Sequence, residues 1–236
     1  MQVEPGGVRG LDLHLARLHR SAVELFGQPV STETVRERIK TALAGRDGRL
    51  SVRVHLFLPA ISLRRADAKG RPSVLVRVSA PQAPLESPLR LQSQIYQRET
   101  PHLKHAGTFG LTRAIREARA LNFDDALFVS TDGLVSEGSI WNIGFIEGQR
   151  IVWPEAPMLA GVGQALLQRG LDTVGLDSER RPVQLSDVGA FDGAFICNST
   201  TPAAAVSSFD QISVDTDPAM IERLHTAWTS NPVEPI

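Results

Sequence analysis

The chain has 236 residues, 42% of them hydrophobic and 22% charged, enough apolar material for one large core or two small ones. A formal net charge of -1 with no long basic run argues against nucleic acid or an anionic membrane as a partner. No apolar stretch reaches the roughly 20 residues of a spanning helix, and Met1-Gln2-Val3-Glu4-Pro5 has no basic segment leading into an apolar one, so a cytoplasmic protein is expected.

Apolar residues recur at helical spacing through Leu11, Leu15, Leu18, Ala22 and Leu25, and Gly27 follows as a stop, which predicts a helix over Leu11 to Phe26. Ser31 or Thr32 can cap a second helix running to about Ala44. Strand alternation then sets in over Leu50 to Leu58 and Ser73 to Ser79. Pro81, Pro84 and Pro88 suit an extended connector, so residues 1–80 are expected as a small N-terminal α/β subdomain, 81–88 as a linker and 89–236 as a larger C-terminal subdomain.

Beyond the linker, Leu89 to Tyr96 reads as a strand and Thr108 to Leu121 as a helix. Ala126 to Ser130 and Leu134 to Ile146 read as strands joined across Asp132-Gly133, and a strand at Arg150 to Trp153 follows. Gly161 to Gly170 is expected as a short helix, Ala194 to Cys197 as a buried strand, and Pro218 to Trp228 as a closing helix capped by Asp217. The order departs from regular strand–helix alternation, so the fold class is α+β with two subdomains. Cys197, the one cysteine, sits in an apolar run and reads as a small core residue, and no metal site is expected.

Only Lys40, Lys69 and Lys104 are lysines. Covalent amine chemistry needs a lysine that can lose its proton near neutrality, which burial or nearby positive charge favours. Lys40 lies on a polar helix face and Lys69 in a polar turn, whereas Lys104 lies between Leu103 and His105 just before a helix, which makes it the candidate.

Val135-Ser136-Glu137-Gly138-Ser139-Ile140-Trp141-Asn142-Ile143 resembles the V-T/S-E-G-S-x-x-N-[IVL] signature of the fold-type IV pyridoxal-phosphate enzymes, and it lies downstream of Lys104 as that family requires. Further ordered segments resemble the same family: His14-Leu15-Ala16-Arg17-Leu18, the strand Asp125-Ala126-Leu127-Phe128, Met158-Leu159-Ala160-Gly161-Val162 and Phe195-Ile196-Cys197-Asn198-Ser199-Thr200. The resemblance runs from about residue 10 to about residue 210. It implies a C-terminal pseudo-barrel that binds pyridoxal 5'-phosphate (PLP), a homodimer, and an aminotransferase that moves an amino group between an amino acid or amine and a 2-oxo acid.

The resemblance also implies roles. Lys104 would hold the cofactor as a Schiff base and shuttle a proton. Glu137 would face the pyridine nitrogen. Arg17 would grip the phosphate as a bidentate-capable cation, helped by the backbone N–H groups of Val162 and Gly163 and by Asn198, Ser199 and Thr200. Asn142 is expected only to satisfy local backbone groups, and His102 and His105 flank Lys104 as ordinary loop histidines.

The chain also departs from the family pattern. Members usually open with a further segment, absent here before the first helix. Branched-chain aminotransferases read K-x-x-G-N-Y where this chain has Lys104-His105-Ala106-Gly107-Thr108-Phe109, and the usual T-R is replaced by Gly163-Gln164, which deletes a hydroxyl donor. Leu103-Lys104-His105 resembles the [IV]-K-H of aminodeoxychorismate lyases, so a lyase is the alternative, and a degenerate PLP-binding homologue with little turnover is a second.

Overall fold

The structure is a computed structural model that describes residues 1–236. The chain divides into two compact units, Met1–Gln82 with Pro232–Ile236, and Ala83–Asn231. The final five residues, expected with the C-terminal part, therefore join the first unit; the strand Val233–Glu234 pairs antiparallel with Val8–Arg9.

In the first unit, β1 (Gln2–Val3) and β2 (Val8–Arg9) precede α1 (Leu11–Phe26) and α2 (Thr32–Leu43), and β3 (Leu50–Phe57) and β4 (Ser73–Ser79) follow. The helices occur where periodicity placed them. Gly27 ends α1 in the left-handed region at φ 70°, a conformation cheap only for glycine, and Ser31 Oγ caps α2 by accepting from the Thr34 N–H at 3.1 Å. Leu11, Leu15, Ala22 and Phe26 of α1 are buried with Val35 and Ile39 of α2 and Val52 of β3. The sheet runs β1-β3-β4, all antiparallel.

The second unit contains β5 (Leu89–Ile95), α3 (Phe109–Ala120), β6 (Asp125–Val129), β7 (Val135–Gly138), β8 (Asn142–Glu147), β9 (Arg150–Pro154), α4 (Val162–Gly170), β10 (Asp177–Arg181), β11 (Gly193–Cys197), β12 (Ala204–Phe209), β13 (Ile212–Ser213) and α5 (Pro218–Thr229). One sheet orders them β10-β9-β8-β11-β12-β5-β6-β7, with β13 on β12. Between β8 and β7 lie β11, β12, β5 and β6, so a flat sheet would separate those two by five strand spacings, roughly 24 Å. The connection from Gly138 to Asn142 can reach only about 14 Å even when extended. The sheet therefore curls on itself into a half-barrel.

The curl creates two kinds of buried face. Leu127 and Val129 of β6, Ile143 and Phe145 of β8, and Ala194 and Ile196 of β11 fill the inner core. Their alternating neighbours face helices: Ala126 and Phe128 pack with Leu111, Ala114 and Ala118 of α3, while Ile146, Phe195 and Cys197 pack with Leu167 of α4 and Leu224 of α5. This is why these strands read as continuous apolar runs. Cys197 is fully buried, and burial pushes its thiol far above the ordinary range, as a core residue requires.

The strand expected over Leu134 to Ile146 is broken at Ser139–Trp141. Buried Asp125 explains the break: its Oδ2 accepts from Ser139 Oγ at 2.9 Å and from Trp141 Nε1 at 2.8 Å. The Trp141 ring then lies over Gly138, where any added Cβ would stand 2.2 Å from it. Only glycine fits beneath the indole.

Candidate active site

The chemistry-bearing residues of the second unit gather at one end of the curled sheet. Asn142 opens β8 directly opposite Cys197, the last residue of β11, so the start of one strand and the end of the other lie side by side. Glu137 is the third residue of β7, Lys104 follows the loop that leaves β5, and the segment after β9 leads through Leu159 into α4.

Glu137 is 5% exposed. Its Oε2 accepts from the Leu159 N–H at 3.1 Å, and its Oε1 lies 3.8 Å from Nη1 of Arg98. Burial pushes the carboxyl above its ordinary range; the Leu159 N–H, the Arg98 guanidinium and the Lys104 ammonium pull it back. Desolvation prevails, yet a lysine stands close enough for its charge to act on the carboxylate. Lys104 itself is exposed, as Lys40 and Lys69 are. The sheltered lysine expected from its apolar neighbour is thus not what forms: Leu103 is the buried anchor, and Lys104 projects from it. What distinguishes Lys104 is its carboxylate partner, not its burial.

His105 is held within the loop, its Nε2 3.0 Å from the Glu99 carbonyl and its Nδ1 3.1 Å from the Gly107 N–H. Both bonds are made by the tautomer that carries its proton on Nε2, so this ring serves loop geometry.

Asn142 does more than serve local backbone. Its Nδ2 donates to the Leu159 carbonyl at 2.9 Å, across 17 positions of sequence, and its Oδ1 occupies the space where a Cβ at Gly161 would fall, 1.9 Å away. Leu159 is thereby clamped on both sides, its N–H by Glu137 and its carbonyl by Asn142. Two polar residues of the signature, Glu137 and Asn142, align the segment that starts α4.

Val162 and Gly163 are buried at the first turn of α4, where N–H groups lack acceptors within the helix. A Cβ at Gly163 would stand 2.5 Å from the Asn198 carbonyl carbon, so the helix start and the end of β11 touch backbone to backbone. The missing hydroxyl at this position has a steric cause: no side chain fits. Gly163→Ala is expected to destabilise the protein by about 1–3 kcal/mol, read from denaturant midpoints, because both clashing partners are main chain. A midpoint equal to the wild type would contradict this contact.

Asn198 Oδ1 accepts from the N–H groups of Thr200 and Thr201, each at 2.8 Å, and so shapes the turn that presents Ser199 and Thr200. The Asn198 side-chain oxygen thus engages the Thr200 N–H, and Ser199 and Thr200 are half-buried. Gln164, the third residue of α4, is 2% exposed and its Nε2 has no protein partner; the same holds for Nε of buried Arg98. Arg17 belongs to the first unit, where Nη2 lies 3.5 Å from Nδ1 of His14, one turn back on α1. Three contributors lay outside the sequence reading of the site: Arg98, Asn142 and Asp125.

Comparison with known proteins bears on the fold and the family. The "Probable branched-chain-amino-acid aminotransferase" of Rickettsia felis is 26% identical over 96 residues, covering 40% of this chain; the match spans 33% of that relative's length. A fold IV-transaminase from Curtobacterium pusillum superposes with a TM-score of 0.81 over 98% of this chain and 82% of that one, at 23% identity. A branched-chain aminotransferase of Thermoproteus uzoniensis, solved with norvaline, gives 0.83 over 96% and 81% at 21% identity. At such identities the likeness establishes the fold. With residues 1–209 matched by the amino-transferase class IV model, the chain belongs to that family.

Proposed function

We propose that this protein is a PLP-dependent aminotransferase that moves an amino group between an amino acid or amine and a 2-oxo acid. The observation that carries the reading is one end of one sheet holding an accessible lysine, a buried carboxylate in electrostatic reach of it, and a helix start pressed against a hydroxyl-bearing turn. The residues fit the cofactor. Buried donors without protein partners, Gln164 Nε2 and Arg98 Nε, suit an acceptor-rich ligand. The α4 start suits a dianion.

When bound, the cofactor supplies a carbonyl carbon that takes up the amino group and a ring that withdraws electrons. Lys104 would hold it as a Schiff base and then, as a free amine, carry a proton to and from the substrate α-carbon. Glu137, its Oε2 fixed by Leu159, would keep the ring nitrogen protonated through its other oxygen. The N–H groups of Val162 and Gly163 and the hydroxyls of Ser199 and Thr200 would bind the phosphate, with Asn198 shaping their turn. A homodimer in the cytoplasm is part of the same reading.

The test is borohydride reduction of the PLP-loaded protein followed by peptide mapping, with a spectral titration against an amino-donor panel. The expected result is a pyridoxyl group on the Lys104 peptide, and a donor-induced spectral change that a 2-oxo acid reverses. A protein that retains no PLP, or labels on Lys40 or Lys69, overturns it; release of pyruvate from aminodeoxychorismate without added oxo acid would point to a lyase instead.

A further inference from the structure

Besides its unpartnered Nε, Arg98 has two contacts that the roles above do not use. It lies three positions beyond β5, and only 7% of its surface is exposed. Its Nη2 donates to the Leu103 carbonyl at 3.0 Å, the peptide immediately before Lys104, while Nη1 faces Glu137 Oε1 at 3.8 Å. The intervening chain turns tightly, with the Leu103 N–H bonded to the Thr100 carbonyl at 2.9 Å and Thr100 at φ 47°. A buried guanidinium is costly to desolvate and is retained only where its partners are well placed.

We propose that Arg98 is a positioning residue, tying the backbone that carries Lys104 to the carboxylate of Glu137 and so setting the span between the amine and the carboxylate. The planar fork suits this task, because two of its nitrogens reach two acceptors at once, whereas a lysine ammonium is a single point charge. The charge also acts on Glu137. The groups facing that carboxylate are Arg98, the Lys104 ammonium and the Leu159 N–H, and without Arg98 burial is opposed only by the other two. The inference rests on the assignment of Lys104 and Glu137 as the working pair.

The cofactor-free protein, labelled with carbon-13 at the glutamate carboxyls, allows Glu137 to be titrated by NMR, its signal assigned by its loss in Glu137→Gln. In Arg98→Gln the Glu137 midpoint is expected to rise by about one pH unit, and amide exchange across residues 99–108 to quicken about tenfold as the Leu103 contact is lost. An unmoved midpoint in a folded variant overturns the inference. If circular dichroism shows Arg98→Gln unfolded, Arg98→Lys decides: faster exchange across 99–108 supports the tie, and unchanged exchange refutes it. Both readouts need no cofactor. A protein that shifts as expected but never retains PLP would leave Arg98 in place and remove the proposed function; one that binds PLP with an unmoved Glu137 does the reverse.

Discussion

Replacing Lys104 by alanine is expected to lower amino transfer by about 10³-fold or more while leaving the protein as stable as the wild type. The two halves of this prediction come from different observations. The side chain is exposed, and truncating an exposed loop residue away from caps and strained turns changes stability by no more than about 0.5 kcal/mol. The chemical loss follows because Lys104 is the lysine whose charge acts on Glu137. Lys104→Arg should be equally inactive, since a guanidinium stays charged and cannot serve as a free amine. Steady-state rates beside a denaturant midpoint check both halves, and a Lys104→Ala variant within tenfold of wild-type rate would remove the proposed role.

Glu137→Gln is expected to reduce turnover by about 10² or more, because an amide cannot keep a ring nitrogen protonated as a carboxylate does. Its second effect is on the pH dependence of stability. Burial raises the folded carboxyl above its ordinary 4.5, so the folded chain takes up this proton before the unfolded chain does. The stabilisation is complete below the unfolded value and is lost as pH rises through the raised folded value. Glutamine does not titrate. Relative to the variant, the wild type should therefore gain stability as pH falls from neutrality, with the gain levelling off below about 4.5. Arg98 loses its counter-charge in the variant, but it stays cationic throughout, so it adds a constant offset and no slope. Denaturant midpoints of both proteins between neutrality and acid check this, and a difference that stays flat would mean that the Glu137 carboxyl is not raised.

Both predictions concern residues found in the sequence, but the reason each works was not found there. Lys104 was singled out on the expectation of shelter, and the structure exposes it; proximity to Glu137 is a contact across 33 positions that no local pattern encodes. Arg98 carried no signal at all, since an arginine three residues after a strand reads as solvated until the curl of the sheet buries it against β7. Asn142 was visible in the signature, but its bond to the Leu159 carbonyl exists only because β8 opens beside the segment entering α4.

Local chemistry, read without any structure, determined the helices and the motif positions. Leu11–Phe26 has its apolar stripe and its closing glycine, Thr32–Leu43 its serine cap, and Pro218–Thr229 its aspartate cap, because each of those signals acts within one or two turns of chain. Tertiary structure alone decided the rest. Ser139–Trp141 breaks a strand because Asp125, fourteen or more positions earlier, takes both side-chain donors. Asp177–Arg181, a charged run with no apolar alternation, becomes a strand because the exposed edge of β9 offers it a parallel partner. Val233–Glu234 leaves the unit that precedes it and pairs with Val8–Arg9. Strand pairing and the burial of a polar group depend on partners distant in sequence, and those partners meet only in the folded chain.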